Sequence, residues 1–152
     1  LKPDAVQRGH MGEIITRFER AGLKIAGCKL AWADKAFAKQ HYAEHVDKKF
    51  YAGLEELLTM GPVLAMVIEG VEAIETVRKI VGPTEPKTAP AGTIRGDFAH
   101  VSYGYADSKG IGIKNLIHAS ASPADARKEI ELWFAPKELH SYKTVHDVHL
   151  LE

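Results

Sequence analysis

Gly61-Pro62-Val63-Leu64-Ala65-Met66-Val67-Ile68 decides the fold class. Six apolar, largely β-favouring residues bounded by turn formers read as a buried strand, too short for a helix of ordinary length. Working outward, helical periodicities lie on both sides of it. Upstream, Phe50 to Met60 reads as a helix stopped by Gly61-Pro62, and downstream Val71 to Val81 reads as a helix ending at Gly82. A strand embedded between helices makes an α+β domain.

The same logic extends toward the N-terminus. Met11, Ile14, Ile15 and Phe18 recur at helical spacing before Gly22, which predicts an amphipathic helix over 12–21. Residues 23–32 alternate partially and favour a strand. Asp34 is an N-cap for a helix running through Gln40 to about His45. Lys2-Pro3-Asp4 reads as the exit of a strand that begins before Leu1, followed by a loop. Toward the C-terminus, residues 82–114 hold many Gly, Pro, Thr and Ser with little periodicity. A loop of that length is functional or disordered. Leu116-Ile117 reads as a short strand. Ser122-Pro123-Ala124-Asp125 then supplies an N-cap, a proline at the first helical turn and a capping-box acid for a helix to Phe134. The tail beyond it is irregular.

Composition narrows the function classes. The 152 residues suit one domain, with 45% hydrophobic and 26% charged residues. Lys+Arg and Asp+Glu both count 20, so bulk attraction to nucleic acid or anionic lipid is not expected. Cys28 is the single cysteine, which excludes an internal disulfide and favours a reducing, cytoplasmic setting. No apolar run approaches the ~18 residues of a membrane span.

The chemistry concentrates at Asn115-Leu116-Ile117-His118-Ala119-Ser120 and on the helix that follows. Ala126, Ile130 and Trp133 share one helical face, and Glu129 falls in the same inward stripe. A carboxylate there is costly unless something bonds it. His118, delivered just before the helix, is the natural partner. A Glu on one ring nitrogen leaves the other free to attack, which is the logic of an oriented nucleophile. Ser120 or Ser122 could bond the same carboxylate. On local pattern alone, a satisfied structural histidine before a capped helix is an equal reading.

Phosphate-binding signals are dispersed. There is no G-x-x-x-x-G-K-[ST] loop, and Gly110-Ile111-Gly112 lacks the third glycine of a dinucleotide fingerprint. Cations instead come from separate elements: Lys2, Arg78 and Arg95, with the hydroxyl of Thr84 nearby in sequence. Singly, each reads as a solvated charge. His41-Tyr42-Ala43-Glu44-His45 matches the H-x-x-E-H zinc pattern, but no third ligand follows, so a solvated helix face is the favoured reading. His140, His146 and His149 read as surface residues.

Taken in order, these segments resemble the nucleoside diphosphate kinase family. The matching pieces are Lys2-Pro3-Asp4-Ala5-Val6-Gln7-Arg8-Gly9, Gly12-Glu13-Ile14-Ile15, His41-Tyr42, Phe50-Tyr51-Ala52-Gly53-Leu54, Gly61-Pro62-Val63 and Pro90-Ala91-Gly92-Thr93-Ile94-Arg95-Gly96-Asp97-Phe98. Asn115 to Ser120 and Glu129 to Phe134 complete the set.

The resemblance implies transfer of the γ-phosphate of a nucleoside triphosphate to a nucleoside diphosphate, by a ping-pong route through phosphohistidine. His118 matches the nucleophile through Nδ1, Glu129 its orienting carboxylate and Ser120 a hydroxyl partner. Lys2, Tyr42, Arg78, Thr84, Arg95 and Asn115 match residues that hold phosphates, sugar hydroxyls or the transferred group. Phe50 and Leu54 match the base platform. Mg2+ is implied, carried by the nucleotide phosphates and water rather than by protein ligands.

The implied fold is a ferredoxin-like βαββαβ domain spanning 1–152. It has a four-stranded antiparallel sheet covered by helices and an extended loop between the third helix and the last strand. Self-association as a homohexamer, or a tetramer, is also implied. The segment His100 to Lys114 is longer than the family's common form and predicts an exposed excursion near 101–113. Ala5 and Ala119 stand where glycines are usual, and the tail from Val145 departs from the usual ending. The alternatives are a catalytically silent nucleotide-binding module of the same fold and a nucleic-acid-binding role. The first would be favoured by loss of His118 or Glu129, and the second is opposed by the neutral charge.

Overall fold

A computed structural model of the protein describes residues 1–151. Lys2-Pro3-Asp4 does not lead into a loop. Helix α1 covers Pro3–Gln7, with Pro3 at the first turn where its missing N–H costs nothing. Helix α2 (Met11–Arg20) buries Ile14 and Phe18, one helical turn apart. It ends where Gly22 takes φ +80, while Leu23 N donates to Phe18 O and closes a Schellman-type stop.

Strand β1 (Lys24–Ala31) follows. Helix α3 (Lys35–His41) is capped by Asp34, whose carboxylate accepts from Phe37 N at 2.8 Å. The helix stops at His41 rather than running to His45, and Ala43–His45 forms a separate 3₁₀ turn. Helix α4 (Tyr51–Thr59) and strand β2 (Val63–Glu69) come next. β2 pairs antiparallel with β1, from Lys24 opposite Glu69 to Ala31 opposite Val63, with an irregularity between Ile25 and Gly27. The expected strand is present, but only Val63 and Leu64 are fully buried. Helix α5 (Ala73–Val81) starts two residues later than expected because Glu72 takes a left-handed φ of 49°.

The long segment 82–114 is not structureless. It holds a 3₁₀ turn at Pro86–Thr88, helix α6 (Ile94–Phe98) and helix α7 (Tyr103–Lys109). Thr93 and Ser102 cap the two helices, accepting from Gly96 N and Tyr105 N. Helix α8 (Pro123–Trp133) begins as the sequence predicts: Ser122 accepts from Asp125 N at 3.1 Å. The tail is not wholly irregular, since Pro136–Glu138 forms a 3₁₀ turn and Asp147–Leu151 a π-helical turn. The segment after α8 is tied to β1 by His140 N donating to Ala26 O and by the Lys29–Glu138 ion pair. Gly27 lets it pass, because a Cβ there would lie 3.0 Å from Leu139 and 3.2 Å from Phe134.

The architecture is α+β, yet the sheet among the described residues has two strands rather than the expected four. Leu116-Ile117 is not a strand. Leu116 takes φ +73 and Ile117 N donates to Asn115 O at 2.9 Å, a γ-turn of the rare positive-φ kind. Two aliphatic residues look extended in sequence because hydrophobicity is blind to the sign of φ.

The turn belongs to the first of two apolar clusters. That cluster gathers Ala5, Ile14, Phe18, Val81, Ile94, Leu116 and Ile117, and the other Ala33, Ala38, Tyr42, Leu58 and Val63, with Trp133 against it. No helix among the described residues is long and apolar enough to cross a membrane.

Candidate active site

The γ-turn determines where His118 points. Leu116 is fully buried, its N–H donates to Asp4 Oδ2 at 3.0 Å, and its carbonyl accepts from Lys2 N at 2.8 Å. A non-glycine residue at positive φ costs about 1–3 kcal/mol and persists only where its surroundings over-determine it. Helix α1 and the residue before it provide that hold.

Beyond the turn, His118 Nε2 lies 2.6 Å from Glu129 Oε1. Ser120 Oγ donates to the other carboxylate oxygen. Glu129 thus has both oxygens engaged, as its inward helical phase required. Burial pushes its carboxyl up, but the bonds and charge of His118, the Ser120 hydroxyl and the neighbouring His41 outweigh this. The net effect holds it below the usual carboxylate range. With Nε2 on Glu129, Nδ1 is the ring nitrogen left for chemistry. The His118 side chain is 41% exposed, so a substrate can reach it.

His41, set aside as half of a zinc pattern, packs edge-on against His118 with ring centroids 5.0 Å apart. Its Nδ1 accepts from the indole N–H of Trp133 at 3.2 Å. Burial, reinforced by His118, lowers its pKa to about 4, so it is neutral at pH 7. Among the described residues no group of His, Cys, Asp or Glu is arranged to hold a metal ion.

His118 opens onto a cleft of about 560 Å³, within the range of small-molecule sites. Every cation and amide named from the sequence converges on it. Lys2 Nζ donates to Asn115 Oδ1 at 2.6 Å, and Asn115 Nδ2 donates to Thr84 O at 2.8 Å. Lys2 is 8% exposed, and burial lowers its pKa to about 8, with Asp4 opposing that shift and Arg95 adding to it. Arg95 is buried as well, its pKa lowered to about 10 by burial and then by Arg78. Its guanidinium donates to three carbonyls: Asn115 at 3.2 Å, Gly82 at 3.0 Å and Ile117 at 2.5 Å. Arg95 therefore holds the turn that carries His118, a role the sequence did not disclose. Arg78 reaches Ala119 O at 3.4 Å.

Tyr42 is buried and its phenol is pushed up to about 12 by burial, then by Glu129 and Asp4, so it stays protonated as a donor. Phe50, 54% exposed, and Leu54 form the far wall. His45 also lines the cleft, its ring 5.6 Å from that of Phe50. Sequence reading missed it because the zinc pattern drew attention to His41 and His45 as a pair. In fact His41 faces His118 while His45 faces the cleft. Behind His118, a separate cavity of about 180 Å³ runs between β2, α5 and α8. Arg78, Thr84, Arg95 and Asn115 line the cleft and not this cavity.

The arrangement therefore offers an oriented imidazole beside three cations and a flat aromatic wall. It suits attack on a charged phosphorus centre. The family described as nucleoside diphosphate kinase matches residues 1–139. The chain is 51% identical over 142 residues to the nucleoside diphosphate kinase of Thermococcus kodakarensis, covering 93% of this chain and 78% of that one. It is 46% identical over 149 residues to that of Borreliella burgdorferi, covering 94% and 89%.

Among solved structures, it superposes with a TM-score of 0.94 and 44% identity on a transition-state mimic of the Borrelia burgdorferi enzyme with bound vanadate and ADP. That match covers 97% of this chain and 91% of the other. A halophilic enzyme from Halobacterium salinarum in complex with CDP gives 0.89 and 41%, covering 100% and 95%. Shared across nearly its whole length in both sequence and backbone, the chain belongs to the nucleoside diphosphate kinase family and is a phosphotransferase.

Proposed function

We propose that His118 carries the phosphoryl group between a nucleoside triphosphate, typically ATP, and a nucleoside diphosphate. Nδ1 attacks the γ-phosphorus, an N–P bond forms, the bond to the β–γ bridging oxygen breaks, and the diphosphate leaves. A terminal oxygen of the incoming diphosphate then attacks the same phosphorus and frees the imidazole. The observation that carries this reading is the 2.6 Å contact of Nε2 with Glu129. It fixes the tautomer with a lone pair on Nδ1 and stabilises the positive charge that grows on the ring. Ser120 holds the second carboxylate oxygen.

Lys2, Arg78, Arg95, Thr84 and Asn115 line the phosphate end and Tyr42 stands beside it. Exposed Phe50, with Leu54, suits stacking, which tolerates any base because every base has a π-face. The family uses a divalent metal, which we read as Mg2+ carried by the substrate phosphates and water, where it would neutralise charge on the phosphate chain. A cleft lined by three cations, with Asp107 the one carboxylate among the described lining residues, fits a metal delivered in that way.

Beyond the reaction, the four-stranded ferredoxin-like sheet is also our reading. Leu1 and Leu64 exchange backbone hydrogen bonds, and Lys2 N bonds Leu116 O, which lays the segments around Leu1, β2 and Leu116 side by side. Those bonds likewise support treating 1–152 as one domain. Exposed Leu30 and Trp32 support self-association, as a homohexamer or a tetramer. A single exposed cysteine agrees with a cytoplasmic setting.

The test is to incubate the enzyme with γ-labelled ATP and magnesium and no acceptor. We expect an acid-labile, base-stable phosphate on His118 that GDP, CDP and dTDP each discharge. Its absence from the intact enzyme, or undiminished transfer by His118→Ala, would overturn the mechanism.

A further inference from the structure

Segment 101–113 is largely exposed and is also fastened beside the cleft at both ends. At its start, Tyr103 N donates to Glu85 Oε1 at 2.9 Å and Lys87 N donates to Val101 O at 3.2 Å, beside Thr84. At its end, Gly112 lies so close to Gly53 that a Cβ on Gly112 would sit 2.4 Å from Gly53 O. Gly53 is on α4, between Phe50 and Leu54. Helix α7 therefore runs from the cationic end of the cleft toward its aromatic end, its own Ala106 buried against the body of the protein. Tyr103, which lines the cleft together with Arg95 and whose N–H bonds Glu85, marks the first end. Asp107, one turn further on, lines the cleft near the end of α7. There its carbonyl accepts from Gly110 N and Ala106 O accepts from Ile111 N, just before the Gly112–Gly53 contact.

Asp107 is the one carboxylate among the described cleft-lining residues. It is exposed, and its carboxylate has no hydrogen bond or ion pair among the described residues. A free carboxylate beside the phosphates would repel them, whereas toward the base it is an acceptor for ring N–H groups. Guanine alone among the common bases presents two adjacent donors, N1–H and the 2-amino group, matching the two oxygens of a carboxylate.

The geometry points to α7 as a wall of the nucleotide cleft and to Asp107 as a specificity-determining residue that favours guanine nucleotides. This rests on the kinase reading above. Uracil offers one N–H flanked by two carbonyls that a carboxylate repels, so UDP gains nothing from Asp107.

The experiment measures kcat/KM for discharge of the phosphoenzyme by GDP, IDP, ADP, CDP and UDP, for the native enzyme, Asp107→Asn and Asp107→Ala. Asp107→Ala is expected to lower the GDP value about tenfold while leaving UDP unchanged, as loss of a charge-assisted contact in an open cleft predicts. IDP, which lacks the 2-amino group, should fall less than GDP, and Asp107→Asn should be intermediate. Unchanged UDP discharge certifies that the variant is folded. Equal loss with all five diphosphates, or no loss with GDP, overturns the assignment. Failure of the native enzyme to form a phosphoenzyme would instead overturn the kinase reading itself.

Discussion

The backbone N–H of Leu116 donates to Oδ2 of Asp4 across 3.0 Å, joining residues 112 positions apart and holding a positive-φ turn two residues before His118. Asp4 is 4% exposed, so this bond is shielded from water. Asp4→Ala removes the acceptor and leaves a buried N–H unpaired. We expect about 2 kcal/mol lost from unfolding free energy and a melting temperature lower by roughly 5 °C. Phosphoryl transfer should fall with it, because the strained turn loses one of the two hydrogen bonds made by the backbone of Leu116 itself. Urea titration and initial rates on the same preparation check both.

Glu129→Gln keeps the shape of the site but changes its proton logic. The amide N–H₂ can donate to Nε2, which favours the proton on Nδ1 and blocks the attacking lone pair. Phosphoenzyme formation should slow on the order of 10⁴-fold, as when a carboxylate that orients a histidine is made an amide. Rapid-quench measurement at saturating ATP reads the step directly, and a rate near native would remove Glu129 from the orienting role.

Stability should depend on His41 at mildly acidic pH. In the unfolded chain its imidazole binds a proton below about 6.5, but in the fold it stays neutral down to about 4. Between those values the unfolded state holds the extra proton, so the native state loses stability as pH falls. Full stability returns above the unfolded value. The loss attributable to His41 is roughly 1–3 kcal/mol after allowance for its partial exposure. His41→Phe should flatten the stability profile between pH 6.5 and 4, measured by chemical denaturation.

Lys2 sets an alkaline limit. Its folded pKa of about 8 means that it is mainly charged at pH 7 and loses its proton as pH rises through 8. Nucleoside diphosphate affinity should weaken about tenfold between pH 7 and 9.5, the scale of one lost charge-assisted contact. In Lys2→Met the affinity should be lower throughout and flat across that range. Equilibrium titration with ADP is the check.

Arg95→Lys preserves charge but not the fork. A single ammonium cannot span the carbonyls of Gly82, Asn115 and Ile117, which the guanidinium bonds together. Stability should drop by about 1–3 kcal/mol, with lower activity even at saturating nucleotide. A variant that changed only KM would show that Arg95 serves the phosphates alone.

The sequence made helices α2 to α5 and α8 and the paired strands legible because their signals are local, whereas the short helices α1, α6 and α7 read as loop. Ile14 and Phe18 mark a helix face, Asp34 and Ser122 are caps that bind within three residues, and Val63 to Ile68 is an apolar run between turn residues. The Glu129 stripe was readable for the same reason, since helical phase depends on neighbours three and four positions away. The turn at Leu116, the burial of Lys2 and the splitting of His41 from His45 were not. Each arises from contacts with residues far along the chain. The same is true of α7, whose place over the cleft depends on Glu85 at one end and Gly53 at the other.

By itself, then, the sequence determined an α+β protein with a histidine, a carboxylate and dispersed cations, and its resemblance to a kinase family joined them into one reaction. The packed fold adds that Glu129 takes up Nε2 of His118, that Arg95 bonds the turn preceding His118, and that Tyr103, Ala106 and Asp107 reach the same cleft. The physical reason is that periodicity and capping are encoded over a few residues. Desolvation, hydrogen-bond geometry and backbone strain are properties of groups that meet only when distant segments pack.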